Sequence, residues 1–90
     1  MLQGLHIDEY SGTKMWYKDG ELHREDGPAI IWKNGDEEWY LNSKKHRDDG
    51  PAVYYPSFNG LRGWYIDGRK LSEDQFKQHY REIRLNNLLD

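Results

Sequence analysis

Two histidines at equivalent places in the chain are the residues whose chemistry most needs an explanation. His23 and His46 lie 23 residues apart, and each is followed three residues later by an aspartate, Asp26 or Asp49. Imidazole and carboxylate groups ligate zinc, but a zinc site needs three or four converging ligands. A repeat places identical side chains in a row, which is poor geometry around one ion. We therefore expect no metal and no cofactor, and hydrogen-bonded structural histidines instead.

Paired carboxylates at Glu37-Glu38 and Asp48-Asp49 raise the question of acid–base catalysis. A glycosidase pair needs a cleft and one carboxyl with a raised pKa, and a short chain of hairpins offers neither. The string His-Arg-Asp at 46–48 resembles part of a kinase catalytic loop, but no Gly-rich loop or strand lysine accompanies it. Because nucleophile motifs and phosphate-binding loops are also missing from the sequence, we predict a protein that is not an enzyme.

An internal repeat must position these residues, and it is the strongest feature of the sequence. A Trp-Tyr pair occurs three times: Trp39 follows Trp16 by 23 residues, and Trp64 follows Trp39 by 25. The heptapeptide His-Arg-x-Asp-Gly-Pro-Ala, in which x is acidic, occurs at 23–29 and again at 46–52. The chain therefore contains about two and a half copies of a unit of 23 residues.

Each unit is predicted to contain short strands separated by tight turns. Asp19-Gly20, Asn34-Gly35 and Asp67-Gly68 are typical of type I′ hairpins, in which both central residues take positive φ. Asn42-Ser43 occupies the equivalent place with Ser instead of Gly, so we expect a distorted turn or a functional reason there. Turn signals roughly every twelve residues indicate an antiparallel meander. The predicted fold class is mainly β, with hairpin repeats over residues 10–71.

Two aromatic series follow from the Trp-Tyr pairs, because adjacent strand residues point to opposite faces of a sheet. The first series is predicted to form stacked core layers and consists of Trp16, Trp39 and Trp64. The second series then lies on the other face, as half-exposed packing or as a binding surface. With two aromatic residues of neighbouring strands it forms the predicted partner-binding set, Tyr17, Tyr40, Tyr65, Trp32 and Tyr55.

The Asp-Gly-Pro-Ala segments are predicted to be structural loops. Asp bonds the downstream backbone, Gly supplies an unusual φ, and Pro fixes the exit of the turn. We expect Arg24 and Arg47 each to form a forked pair with an acidic residue of a neighbouring unit, locking the units together. The structural repeat set is completed by the loop residues Asp26, Asp49, Gly27 and Gly50.

The C-terminal segment, residues 72–89, is predicted to be an amphipathic helix. Ser72 and Gln75 have the spacing of a capping box, and Phe76, Tyr80 and Ile83 fall on one helical face. We expect this helix to cover the open end of the sheet, where an exposed edge strand would invite aggregation. The alternative is a docking helix. The length of 90 residues indicates one domain over 1–90.

Composition bounds the remaining possibilities. The chain has no cysteine, no apolar run long enough to cross a membrane, and no signal-peptide pattern at its start. We expect a cytoplasmic protein without membrane association. The net charge of −3 disfavours non-specific nucleic-acid binding. Basic residues near the turns, together with stacking aromatic rings, keep nucleic acid as a third alternative. These basic residues are Lys44, Lys45, Arg47, Arg62 and Arg69.

The rhythm of an aromatic strand, a Gly turn and a following His resembles the MORN repeats. It is seen in Trp16, Gly20 and His23, and again in Trp39 and His46. The His-Gly-x-Gly of that family is here His-Arg-x-Asp-Gly-Pro-Ala, so the chain is similar to a MORN-like variant found in phage and bacterial proteins. The resemblance covers about residues 10–71. It implies a scaffold that binds other proteins, whereas the lipid binding of some members is disfavoured by the acidic net charge.

Together these features predict a non-enzymatic protein–protein interaction module. The resemblance implies a small phage or prophage protein that binds and modulates a host bacterial protein, such as a restriction or toxin–antitoxin defence factor. The alternative is a structural protein that self-assembles edge to edge through its incomplete first unit at residues 4–14. We expect a monomer, and we expect Tyr40→Ala to weaken partner binding while leaving the fold nearly intact.

Overall fold

Antiparallel hairpins build most of the molecule, as the turn spacing predicts. The structure is a computed structural model, and it describes residues 1–89. One C-terminal helix packs on the end of the sheet, so the predicted fold class is confirmed. The molecule is thin and extended, with principal dimensions of 46 × 33 × 19 Å. The buried apolar residues of the described chain are Ala29, Ile30, Ala52, Val53 and Phe76.

The elements of the described chain follow one another in simple order. The strands are β1 (Gly4–Ile7), β2 (Lys14–Lys18), β3 (Glu21–Leu22), β4 (Ile30–Ile31), β5 (Glu37–Glu38), β6 (Tyr40–Leu41), β7 (Lys44–Lys45), β8 (Val53–Tyr55), β9 (Leu61–Ile66) and β10 (Arg69–Leu71). A 3₁₀ turn (Pro56–Phe58) lies between β8 and β9, and the helix is α1 (Glu73–Leu89). The main sheet has the order β1-β2-β4-β5-β8-β9-β10, with β3 paired to β2, while β6 and β7 form a separate hairpin.

The central strand of each unit changes partners at its tryptophan. In the second unit Trp39 separates β5, which belongs to the main sheet, from β6, which belongs to the hairpin. Its N–H donates to the carbonyl of Ala52 at 2.7 Å, and its carbonyl accepts from the N–H of His46 at 3.1 Å. Trp16 makes the same two backbone bonds with the corresponding residues of the first unit. Each unit therefore contributes one segment to the common sheet and one outer hairpin.

The hairpin turns are of two kinds. Asp19-Gly20, Asn42-Ser43 and Asp67-Gly68 have positive φ at both residues, as type I′ turns require. Ser43 keeps a φ of 63°, so its turn is not distorted. Asn34-Gly35 differs from the prediction, because only Gly35 has positive φ and Trp32 pairs with Asp36 across a three-residue loop. A loop of that length places its glycine in the left-handed region at the last position.

Replacement of Ser43 by glycine is expected to raise the free energy of unfolding by about 1 kcal/mol. Left-handed backbone costs a residue with a Cβ atom about 1–2 kcal/mol, and glycine avoids this cost. The check is the midpoint of thermal unfolding, which should rise by roughly 4–8 °C for a domain of this size. Gly68→Ala, at the equivalent place with a φ of 80°, is the matched control and should shift the midpoint downward. An unchanged or lower midpoint for Ser43→Gly would contradict the strain argument.

The buried row of the sheet lies on the same face as the tyrosines. Cross-strand pairing aligns Met15, Ile30, Glu38, Val53 and Gly63 in one row across five strands. Side chains alternate between the two faces of a strand, so the residue two positions after each member of this row lies on the same face as the row. We call this the tyrosine face; its aromatic residues are half-buried and comprise Tyr17, Trp32, Tyr40, Tyr55 and Tyr65.

The tryptophan series occupies the opposite face and is half-buried rather than enclosed as core layers. Its rings are covered by side chains of their own units. The guanidinium of Arg24 lies 3.9 Å from the ring centroid of Trp16, and that of Arg47 lies 3.9 Å from Trp39. The third unit has no arginine at the equivalent place in the sequence. There the ring of Phe76, from the C-terminal helix, packs against Trp64 instead.

The helix starts with the predicted capping box. The Ser72 N–H donates to Gln75 Oε1 at 2.8 Å, and the Gln75 N–H donates to Ser72 Oγ at 3.1 Å. Phe76 is 5% exposed and packs with its ring centroid 6.5 Å from that of Trp64. Tyr80 stacks on Phe76 at 6.4 Å. The helix contacts β9 and β10, so it covers that end of the sheet, while Leu88 is 80% exposed.

None of the helical residues in the described chain form a segment long and apolar enough to span a membrane.

The arginine side chains of the repeat do not link neighbouring units, so that prediction was wrong. Only the backbone N–H groups of Arg24 and Arg47 reach the next unit, where they donate to the carbonyls of Tyr40 and Tyr65. Arg47 Nε donates to Asp49 Oδ1 at 2.8 Å and Nη1 donates to the carbonyl of Pro51 at 3.2 Å, both within its own loop. Arg24 makes the equivalent bonds in the first unit. A Cβ atom on Gly50 would lie 2.9 Å from the Arg47 guanidinium carbon. Glycine here, and at Gly27, leaves room for the guanidinium in its present position, and neither glycine has a positive φ.

Histidines, together with backbone groups, link the units instead. His23 Nδ1 accepts a hydrogen bond at 3.0 Å from the N–H of Asn42, in the turn of the next unit. His46 Nδ1 accepts one at 3.0 Å from the N–H of Asp67 in the same way. A ring nitrogen that accepts carries no proton, so these bonds fix the tautomer. The residue that follows in each of these turns also donates its backbone N–H to the preceding hairpin. Ser43 donates to the carbonyl of Leu22, and Gly68 donates to the carbonyl of Lys45.

The first residues of the chain take part in the same arrangement, although they show no match to the repeat. Gln3 Oε1 accepts from the N–H of Asp19 at 3.1 Å, and the carbonyl of Leu2 accepts from Gly20 at 3.0 Å. Gln3 thus does for the first turn what His23 and His46 do for the next two. Strand β1 then pairs with β2 over its whole length.

Candidate functional site

A buried carboxylate lies at the centre of the tyrosine face. Glu38 is 7% exposed. The Tyr40 hydroxyl donates to its Oε1 at 2.6 Å, and the Tyr55 hydroxyl donates to its Oε2. Strand geometry brings the three together, because Tyr40 lies two residues after Glu38, and Tyr55 lies two residues after Val53, the cross-strand partner of Glu38.

The charge of Glu38 has no cationic partner within residues 1–89. The ion pairs of the described chain all involve other acidic residues. Buried carboxylates are usually paired with a cation or bound to a metal, because desolvation of an isolated charge is costly. Here two neutral hydroxyl groups provide the only side-chain hydrogen bonds that Glu38 accepts from this part of the chain. The site therefore carries a negative charge that the described residues do not neutralise.

An open groove of about 340 Å³ leads to Glu38, and we call it the Glu38 groove; its lining consists of Trp32, Asn34, Asp36, Glu38 and Tyr55. The rings of Trp32 and Tyr55 form two walls, with centroids 6.4 Å apart and planes at 74°. Asp36 lies at the rim and accepts hydrogen bonds from the side chain and backbone of Ser57. The side-chain bond from Ser57 is the main cause that holds the pKa of Asp36 below its ordinary value. Asp36 is therefore ionised at neutral pH.

The structure brings only part of the predicted partner-binding set together. Trp32, Tyr40 and Tyr55 surround Glu38, and Tyr65 lies next to them, its ring above Gly63. Lys45 Nζ lies 5.1 Å from the centroid of the Tyr65 ring. Tyr17 is in the first unit, where its hydroxyl contacts the sulfur of Met15 at 3.5 Å. It is separate from the groove.

Sequence reasoning missed the two acidic residues of the groove. Glu38 was considered only as a member of an acidic pair with Glu37, although strand alternation places the two on opposite faces. The signal that could have identified it is its position two residues before Tyr40, on the face predicted to bind. Asp36 gives no comparable signal, because its place at the rim depends on the turn formed by residues 33–35.

The Tyr55 hydroxyl is expected to ionise at a much higher pH than the hydroxyl of an ordinary tyrosine. Burial, followed by the hydrogen bond to Glu38 and the charge of that residue, raises the pKa of Tyr55 to about 12. The same causes raise the pKa of Tyr40. Since the folded-state pKa of Tyr55 exceeds its unfolded value near 10, its contribution to stability is complete below pH 10. That contribution is lost as the pH rises to about 12.

Spectrophotometric titration of tyrosinate checks this expectation. Tyr55→Phe and Tyr40→Phe should each remove one late-ionising group from the alkaline end of the curve. A curve in which every tyrosine ionises near pH 10, and which neither substitution alters at its alkaline end, would contradict the hydrogen-bonded arrangement around Glu38.

A second groove, also of about 340 Å³, lies between the two Asp-Gly-Pro-Ala loops, with Trp39 in its lining. Its two arginines pair with Asp26 and Asp49. Its other two carboxylates, those of Glu25 and Asp48, are 79% and 55% exposed, so water solvates their charge, unlike that of the buried Glu38. We consider the Glu38 groove the stronger candidate for a binding site.

The histidines do not form a metal centre with each other. His23 and His46 each bond the next turn, as described above, and His46 Nε2 lies 3.0 Å from Asp48 Oδ1. His79 of the helix approaches the same carboxylate oxygen at 3.6 Å. In residues 1–89 no group of three or more His, Asp or Glu side chains is arranged to hold a metal ion.

Comparison of the chain with protein-family models, with curated proteins and with solved structures found no match. The MORN resemblance therefore rests on the repeated motifs alone.

Proposed function

We propose that this protein is a non-enzymatic protein-binding module whose binding surface is the tyrosine face around the Glu38 groove. The single observation that carries the proposal is the buried carboxylate of Glu38, which is open to a groove with aromatic walls. Half-exposed Trp and Tyr rings with polar tips are typical of the residues that dominate binding energy at protein interfaces.

The class of target follows from the resemblance. MORN-like units of this variant are associated with phage and bacterial proteins, so we propose a host bacterial protein, such as a restriction or toxin–antitoxin defence factor, as the partner. Binding would take place in the cytoplasm of the bacterial cell.

Capture from a bacterial lysate, with quantitation by mass spectrometry, tests the proposal. The tagged full chain should recover one protein at near-equal stoichiometry, and Trp32→Ala should reduce that recovery at least about tenfold, as truncation of an aromatic hot spot does. Tyr10→Ala is the matched control, because Tyr10 is a fully exposed aromatic residue away from the groove. Recovery that is unaffected by Trp32→Ala would reject the groove as the binding surface, and nuclease-sensitive recovery would indicate nucleic acid.

Tyr40→Ala is not the clean probe that the sequence predicts. The Tyr40 hydroxyl is bonded to the buried Glu38 carboxylate, so its removal leaves that group with one hydrogen bond fewer. An under-satisfied buried carboxylate destabilises the fold, so loss of binding by this variant would not separate binding from stability.

Self-association through β1 is a second candidate function, favoured by its exposed edge. Leu5 and Ile7 of this strand are each 49% exposed, and β1 ends the main sheet with no covering element among the described residues. At the other end α1 packs against β9 and β10. Two chains can therefore pair through their β1 strands, head to head.

Light scattering over a concentration series tests this second function. A dimer that Ile7→Lys converts to a monomer would support it. A monomer at the highest concentration would reject it.

A further inference from the structure

We infer that the Glu38 groove binds the ammonium group of a lysine side chain presented by the partner protein. The inference rests on the proposed function, since it names the chemical group that the same site recognises. It is carried by the charge balance and the ring geometry of the groove.

Charge complementarity is the first argument. The groove contains two carboxylates, the buried one of Glu38 and the ionised one of Asp36, and no cation of residues 1–89 forms an ion pair with either. A bound cation would supply the missing counter-charge where the carboxylate is already desolvated. A groove of about 340 Å³ is large enough for a butylammonium chain.

The ring of Trp32 is the second argument. Cations attract the faces of aromatic rings, and this chain uses that interaction repeatedly. Trp16 and Trp39 each have a guanidinium 3.9 Å from the ring centroid. Trp32 lines the groove and has no cation of the described residues over its ring. A cation bound in the groove would therefore lie beside a tryptophan ring that no described cation already occupies.

The hydrogen bonds of the carboxylates favour ammonium over guanidinium. Both oxygens of Glu38 already accept tyrosine hydroxyl groups, and both oxygens of Asp36 accept from Ser57. One lone-pair site on each of these oxygens is therefore occupied, which leaves less room for the two parallel bonds of a planar arginine fork. A lysine ammonium is a compact charge with rotatable donors and needs no such fork.

Titration of the isotope-labelled full chain with short blocked tripeptides, followed by NMR, tests the inference. The probes are acetyl-Gly-Lys-Gly-amide, its arginine analogue and its norleucine analogue, which has the same chain length without the charge. The lysine peptide should bind with a Kd of order millimolar and shift the indole N–H of Trp32 and the amides of residues 34–38, Tyr55 and Ser57. The arginine peptide should bind more weakly, and the norleucine peptide should cause no saturable shift.

Two conservative variants test the role of the carboxylate at the rim of the groove without removing a buried side chain. Asp36→Asn retains acceptor and shape at the rim and should weaken the lysine peptide about three- to tenfold. Glu9→Gln removes an exposed carboxylate elsewhere and should leave the affinity unchanged. Equal shifts from norleucine, tighter binding of arginine, or no shift at Trp32 would each overturn the inference.

A negative result in the peptide titration and a negative result in the lysate capture reject different claims. A partner recovered through Trp32 without peptide binding would reject the lysine ligand and keep the binding module. Peptide binding without a partner would reject the protein-binding function and keep the cation site.

Discussion

Replacement of Phe76 by alanine is expected to lower the free energy of unfolding by about 3–5 kcal/mol, the cost typical of emptying a buried aromatic site. Phe76 is the only residue of α1 among those described that is buried, and it packs between Trp64 and Tyr80. In the first two units an arginine covers the equivalent tryptophan. The variant would therefore uncover Trp64 and detach the helix from the last hairpin.

Urea denaturation followed by circular dichroism measures this loss, and hydrogen exchange locates it. Exchange protection should fall first in α1 and in β10, while strands of the first unit keep their protection. Leu88→Ala, on the same helix at an 80% exposed position, is the matched control and should change stability by no more than about 0.5 kcal/mol. A small effect of Phe76→Ala would mean that the helix does not depend on this contact.

The substitution His46→Leu is expected to cost about 1.5 kcal/mol, whereas His46→Gln should cost less than half of that. Leucine fills similar space but leaves the N–H of Asp67 without its acceptor, and loss of such a hydrogen bond costs about 0.5–1.5 kcal/mol. Glutamine can accept this bond, because Gln3 accepts the equivalent bond from Asp19 in the first unit.

Thermal unfolding of the two variants side by side measures the difference. If leucine and glutamine destabilise the chain equally, the hydrogen bond to Asp67 is not the stabilising contact, and the packing of the imidazole ring would be responsible instead.

The regular part of the fold was predictable because it depends on local chemistry. The type I′ turns follow from Asp-Gly pairs, and the helix start follows from the Ser72–Gln75 spacing; both are confirmed. At Asn34-Gly35 the dipeptide alone did not decide the loop length. The extra residue in the loop is fixed by the pairing of Trp32 with Asp36 across the turn.

The site was predictable only in part, because it depends on contacts between units. Alternation places Tyr40 and Tyr55 on one face, but it does not show that both hydroxyl groups meet on Glu38. The link between units was likewise assigned to Arg47, whereas His46 was predicted only as a hydrogen-bonded structural residue. A forked side chain next to an Asp-Gly-Pro loop can bond inside or outside it, and only the folded loop shows that it closes on itself.

The junctions between units have a consequence for the valency of the protein. Trp32 and Tyr55 occupy equivalent places in adjacent units. The groove is therefore formed where two units meet, and a single unit does not contain it. Each junction is made by backbone groups and one accepting side chain, and these recur at every turn. An internal duplication of one 23-residue unit would therefore lengthen the sheet and create a further groove one unit away. Gene duplication could thus convert a weak single contact into avid binding of a partner that presents regularly spaced groups.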